Sequence, residues 1–135
     1  MAGYSQTPLA KKLGIKNGHV IQIINEPEHY RSLLTDLPDG LGWNGQGKKD
    51  LIHFFIKSKS ELEARLPGLK KELKPNGMIW VSWPKKAAKI ATDVDENVIR
   101  NLALSTGLVD VKVCAVDDIW SGLKLVIPTK DRTSA

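Results

Sequence analysis

The sequence predicts an α/β fold: a three-layer sandwich with a mostly parallel sheet that ends in a C-terminal antiparallel hairpin. Three observations predict it. Residues 19–25 (HVIQIIN), 50–57 (DLIHFFIK) and 78–83 (MIWVSW) are short apolar runs bounded by turn signals, the pattern of buried parallel strands. Between the second and third runs, Leu62, Leu66, Leu69 and Leu73 recur at helical spacing and make one apolar stripe. The chain then closes on alternation, with Val109, Val111, Val113 and Ala115 on one side and Leu123, Leu125 and Ile127 after a turn. Right-handed crossovers between parallel strands place helices on both faces of such a sheet.

Each element has its own signal. Thr7 as N-cap with Pro8 at the first helical position opens a short helix that Gly14 closes. A helix is expected over 28–37, with Pro27 near its start and Pro38 beyond its end. Residues 41–43 form a short strand, and the glycine-rich stretch 44–49 (NGQGKK) a mobile loop. Ser58 and Glu61 have the spacing of a capping box at the head of the leucine-striped helix. Pro67 falls inside that stripe and predicts a kink or break near Arg65 and Leu66. Lys74-Pro75-Asn76-Gly77 reads as a turn before the third run, which Pro84-Lys85-Lys86 ends abruptly. Residues 85–92 are a helical turn or an ordered loop. Asp93 and Glu96 again resemble a capping box, opening a helix that presents Val98, Ile99, Leu102 and Ala103 on one face and stops at Gly107. Residues 1–129 make one domain and 130–135 a frayed tail.

Composition excludes more than it selects. A hydrophobic content of 41% and a charged content of 26% are ordinary for a globular protein. No apolar stretch approaches the ~18 residues of a membrane span, and the N-terminus lacks the apolar core of a secretory signal. Cys114 is the single cysteine, so no internal disulfide is expected, and the reducing cytoplasm is the default compartment. Its place in an alternating strand makes it a small core residue rather than a reactive thiol. The net charge of +5 attracts anions weakly, and the lysines are spread along the whole chain. With no RNA-binding signature either, the sequence argues against nucleic acid as partner.

The order of elements resembles the later part of class I SAM-dependent methyltransferases. The run at 50–56 looks like their fourth strand, LKPNGMIWVSW at 73–83 like their turn and fifth strand, and GLVDVKV with WSGLKLVI like their last two. Residues 19–25 could then be the first strand. The resemblance implies a reduced, Rossmann-like (methyltransferase-like) sheet. The chain also resembles a family of small bacterial proteins grouped as a domain of unknown function, in AGYSQTPLAKKLGI, VSWPKK and GLVDVKVCAVDDIWSGLKLVI. That second resemblance implies the same fold and no established activity.

The residues themselves depart from methyl-transfer chemistry in three places. A SAM site needs glycines after the first strand so that backbone can approach the cofactor. Here Asn25-Glu26-Pro27-Glu28 follows instead, with two carboxylates poorly matched to the methionine carboxylate. The acid expected after the second strand to hold the ribose is replaced by Trp43-Asn44-Gly45, and the motif after the fourth by Lys57-Ser58-Lys59. No cofactor is therefore expected.

Loops at the carboxyl ends of parallel strands converge, and that is where such folds bind ligands. The candidate site is an anion crevice of Asn25, Glu26, Ser58, Trp83, Lys85, Lys86 and Thr92, with Lys57 and Lys59 nearby. Two lysines near a helix N-terminus suit a phosphate or carboxylate, and Trp83 could stack on a ring. No catalytic residue emerges. His19, His29 and His53 are isolated, no metal-ligand spacing is present, and Ser82 and Ser121 have no general base nearby in sequence. The expectation is a non-catalytic accessory or anion-binding domain. The alternatives are a divergent methyltransferase and a protein-interaction module using Trp120 and the hairpin edge.

Overall fold

The computed structural model describes residues 7–132, so the AGYSQ part of the first motif and residues 133–135 lie outside the described residues. Six strands form one sheet: β1 (Val20–Ile24), β2 (Gly42–Trp43), β3 (Lys49–Phe55), β4 (Leu73–Pro84), β5 (Val109–Ala115) and β6 (Trp120–Val126). Their order across the sheet is β2-β1-β3-β4-β6-β5. The first four are parallel, and β6 runs antiparallel to both β4 and β5. The mixed sheet with its terminal hairpin is the one expected.

Four helices cover the sheet: α1 (Leu9–Leu13), α2 (Tyr30–Leu33), α3 (Lys59–Lys71) and α4 (Glu96–Thr106). Alternation along the strands divides the core. Ile52, Phe54, Ile79, Val81, Leu123 and Leu125 turn toward α3 and α4. Ile21, Ile23, Leu51, Phe55 and Trp80 turn toward α1 and α2. Trp80 is fully buried in β4, and its indole N–H donates to the Leu13 carbonyl at 2.9 Å, which fixes α1 on the sheet. No described helix is long and apolar enough to cross a membrane.

Several local expectations are corrected. Pro8 stands at the N-cap of α1 rather than inside its first turn, although Gly14 closes the helix in the left-handed conformation as expected. The helix predicted over 28–37 shrinks to one turn, because Asp36 adopts a positive φ of 53° and Leu34 is already extended. Pro67 does not break α3, which continues to Lys71. Lys74-Pro75-Asn76-Gly77 is no turn between helix and strand. It is a bulge inside β4, since Lys49 pairs with Leu73 while Leu51 pairs with Met78. A Cβ at Gly77 would lie 2.9 Å from the Lys49 carbonyl oxygen, so glycine lets the bulged backbone close onto β3.

Helix α4 is capped by Asp95, whose carboxylate accepts from the Val98 N–H at 2.9 Å, not by Asp93. The strand-end residues 86–88 form a 3₁₀ turn, and Thr129–Asp131 form another where a frayed tail was expected to begin. Val111 and Val113 of β5 are 53% and 48% exposed, because β5 is an edge strand and its register slips between Asp110 and Lys112.

The parallel sheet is short of one crossover. β2 pairs with only the start of β1, where Trp43 is opposite Ile21, and Ile21 is opposite Leu51. The end of β2 is thus level with the start of β3, so residues 44–48 suffice to connect them without a helix. This is the physical sense in which the fold is reduced.

Candidate functional site

Two depressions lie at the carboxyl ends of the parallel strands. The larger, about 500 Å³, is walled by Asn25, Glu26 and Glu28 after β1 and by Lys57, Ser58 and Glu61 after β3, over a floor of Phe55 and Trp120. The smaller, about 400 Å³, lies beyond β4 and contains Trp83, Lys85, Lys86, Thr92, Asp93 and Asp95. The candidate crevice is therefore not one site. Asn25, Glu26 and Ser58 fall in the first depression, and Trp83, Lys85, Lys86 and Thr92 in the second. The segment at Lys57 separates them, held by the Thr92 hydroxyl, which donates to the Lys57 carbonyl at 2.7 Å.

In the first depression, Asn25 decides the shape. It takes a left-handed backbone with φ 59°, the conformation a glycine would hold most cheaply after the first strand. Its amide donates to the Phe55 carbonyl and to the Glu61 carboxylate, both at 2.9 Å. The turn is closed by a side chain where a cofactor loop would leave bare backbone. Glu26 pairs with Arg31 at 3.1 Å, and Arg31 in turn stacks over Trp43 at 4.3 Å. Ser58 caps α3 by accepting from the Glu61 N–H at 3.3 Å, but the Glu61 side chain turns to Asn25 instead of completing the capping box.

The floor rests on a buried polar chain that sequence reasoning missed. Phe55 stacks on His53 with ring centroids 4.2 Å apart, and Trp120 meets Phe55 edge-on at 5.1 Å. His53 Nδ1 lies 2.8 Å from the Tyr30 hydroxyl and Nε2 lies 2.7 Å from the Ser82 hydroxyl. Ser82 thus does have a histidine partner, contributed by the neighbouring strand. Burial holds the imidazole neutral, with its pKa pushed down to about 3, and raises that of the Tyr30 hydroxyl. His53 and Ser82 are fully buried, so no substrate reaches the pair, and its role is to satisfy polar groups inside the core.

The second depression is less cationic than its two lysines suggest. Asp93 accepts from the Lys59 N–H at 2.7 Å, Thr92 accepts from the Val94 N–H at 3.1 Å, and Asp95 caps α4. The helix N-termini expected to help hold an anion already have partners. Trp83 is only 9% exposed and packs with Val94 and Leu123 in the core, so its ring is not a free stacking surface. Trp120 is likewise 7% exposed, which removes it as an interface anchor. Outside both depressions, His29 Nε2 bonds to the Asp117 carboxylate, whose other oxygen accepts from the Ile119 and Trp120 N–H groups at 2.8 and 2.7 Å.

After β2, where a ribose-binding acid is expected in a SAM site, Asn44 turns back to the sheet and accepts from the Ile23 N–H at 2.9 Å. With Asn25 closing the first turn, the residues present do not fit SAM in the manner the fold would lead one to expect.

No family model and no curated protein matches the chain. Solved structures do. Similar ones include a precorrin-6y C5,15-methyltransferase from Geobacter metallireducens, 9% identical over 88% of this chain and 85% of that one, with a TM-score of 0.59. A ribosomal protein L11 methylase from Lactobacillus delbrueckii is 12% identical over 88% and 74%, with a TM-score of 0.57. A magnesium protoporphyrin IX methyltransferase from Synechocystis with bound SAH is 11% identical over 88% and 78%, with a TM-score of 0.54. At such identities the likeness speaks for the fold alone. The chain has the α/β fold of class I SAM-dependent methyltransferases, in reduced form.

Proposed function

We propose that this chain is a non-catalytic, small-ligand-binding accessory domain on a methyltransferase-like fold. The observation that carries the reading is Asn25. Its left-handed turn and its two amide hydrogen bonds fill the place where a SAM-dependent enzyme needs open glycine backbone. The cavity that remains has an apolar floor and a mixed rim, which favours a compact, partly apolar ligand. Lys57 on that rim would take an anionic end of a ligand bound there, and Lys85 and Lys86 would take an anion in the separate depression beyond β4.

A second reading is a divergent methyltransferase. The position of the larger cavity favours it, because ligands of doubly wound sheets bind outside the carboxyl ends of the strands. A thermal-shift series with SAM, SAH, nucleotides and inorganic phosphate separates the two. Saturation at about 100 times the dissociation constant stabilises by about 2.7 kcal/mol, several degrees for a domain of this size. A shift with phosphate or nucleotides, lost in Lys85→Ala with Lys86→Ala, supports the accessory reading. A shift with SAM and SAH, lost in Glu26→Ala, overturns it in favour of the enzyme.

A further inference from the structure

Folding gathers lysines that lie far apart in sequence. Lys112 on β5 stands directly opposite Lys124 on β6, on the α1 side of the sheet. Like charges directly opposite each other destabilise an antiparallel pair. Lys12 reaches from α1 to donate to the Ala115 carbonyl at 3.2 Å, and Lys16 follows the same helix. The pKa of the Lys124 amine is lowered by burial and then by the charges of Lys112 and Lys16, while that of the Cys114 thiol is raised by burial against the opposing charges of Lys12 and Lys112. Among the described residues none of the four has a carboxylate partner. Four of the lysines that looked dispersed in the sequence are gathered on one face of the hairpin.

The same strand carries a second anomaly. β5 is the last strand of the sheet. The Val116 N–H donates to the Trp120 carbonyl at 2.9 Å, so by the alternation of an antiparallel ladder Cys114 and Lys112 turn their backbone groups inward. Val113 and Ala115 turn theirs outward. With the Ala115 carbonyl held by Lys12, the open edge presents the N–H and C=O of Val113 and the N–H of Ala115. On the face opposite the lysines, Val113 is 48% exposed and Leu104 of the neighbouring α4 is 55% exposed.

We propose that the outer edge of β5 is a docking strand for an extended peptide whose side chains alternate between acidic and apolar. Successive side chains of an added strand point to opposite faces. Its acids would lie beside Lys112, Lys124 and Lys16, and its apolar residues against Val113 and Leu104. A second copy of this chain fits poorly. Antiparallel β5–β5 pairing about a two-fold axis keeps the faces in register and sets two lysine groups side by side. A nucleic acid strand fits poorly as well, since the aromatic rings on this face, Trp80 and Trp120, are buried and offer nothing for bases to stack on.

The test is fluorescence anisotropy of a short labelled peptide of alternating Glu and Val with the full chain. Binding should weaken with rising salt. It should weaken at least about tenfold in a Lys112→Glu, Lys124→Glu double variant whose fold is verified by circular dichroism. Methylating the alternate amides of the peptide that face β5 should abolish binding without touching the protein. Equal binding of a Lys–Val peptide, or of a peptide with the same residues in two blocks, would overturn the proposal. So would displacement of the peptide by oligothymidylate through the same lysines, which would make this a phosphate surface. Sedimentation showing a dimer that Val113→Asp dissolves would overturn it too, in favour of self-pairing.

Discussion

His53 shows how one residue can look catalytic in distance and yet be structural. It bonds to Ser82 as a general base would, but both groups are fully buried and the imidazole is neutral. That burial has a pH signature. The folded pKa, about 3, is below the unfolded 6.5, so below about pH 6.5 the unfolded chain binds a proton that the native state refuses. Stability is unaffected by this group above that value and declines as pH falls, by roughly 2 kcal/mol at about pH 5. Replacing His53 by Leu leaves the Tyr30 and Ser82 hydroxyls without their partner, at a cost of about 1–3 kcal/mol near neutrality. The same variant should lose its part of the acid sensitivity between about pH 6.5 and 5. Urea denaturation of both proteins across that range measures it. A parallel decline in the variant would show that His53 is not the group responsible. In the sequence His53 stands isolated from the other histidines; in the fold both of its ring nitrogens have hydroxyl partners. Its partners were not legible, because Tyr30 and Ser82 come from an element and a strand whose register no local pattern specifies.

At the scale of elements, the strands were legible because apolar density is local. Residues 19–25 and 50–57 locate β1 and β3 to within a residue or two. The glycine–proline signals were less faithful. The Lys74–Gly77 stretch has turn chemistry, yet β4 runs through it as a bulge because β3 supplies a pairing edge. Gly77→Ala should therefore cost about 1–3 kcal/mol, since its Cβ meets carbonyl oxygens at 2.9 and 3.1 Å that belong to backbone and cannot swing aside. Gly45→Ala, with open space around it and no positive φ, should stay within about 0.5 kcal/mol of the parent. Thermal melts of the pair distinguish close approach from a general penalty for losing glycine. Pro67 makes the opposite case. Tertiary packing of Leu62, Leu66 and Leu69 keeps α3 whole despite a proline that cannot donate to the Glu63 carbonyl. Pro67→Ala restores that donor on an exposed position. It should raise stability by up to about 3 kcal/mol, read as a higher melting temperature.

The whole molecule explains why the candidate site was only half legible. Strand topology gathers the loops that follow the parallel strands at one edge, but the division into two depressions depends on Thr92 gripping the Lys57 carbonyl and on Trp120 folding under the first loop. Both are contacts between distant segments. The lysine cluster is invisible for the same reason, since Lys12, Lys16, Lys112 and Lys124 meet only when α1 lies across the sheet and the hairpin closes. Taken as stability alone, that cluster is a defect. Lys124 is half-buried beside two like charges, and no carboxylate among the described residues relieves it. Lys124→Gln keeps the length of the stem while removing the charge. It should stabilise the fold by about 0.2–1 kcal/mol at low salt. Salt screens exposed charges within a few ångströms at high ionic strength, so the gain should shrink as salt is added. Denaturant titrations of parent and variant at two ionic strengths measure both effects. A gain that salt leaves untouched would mean that relief of desolvation, not of repulsion, is its source. A gain that salt erases would show that the fold carries an uncompensated positive face, the expected mark of a surface shaped for a partner rather than for stability.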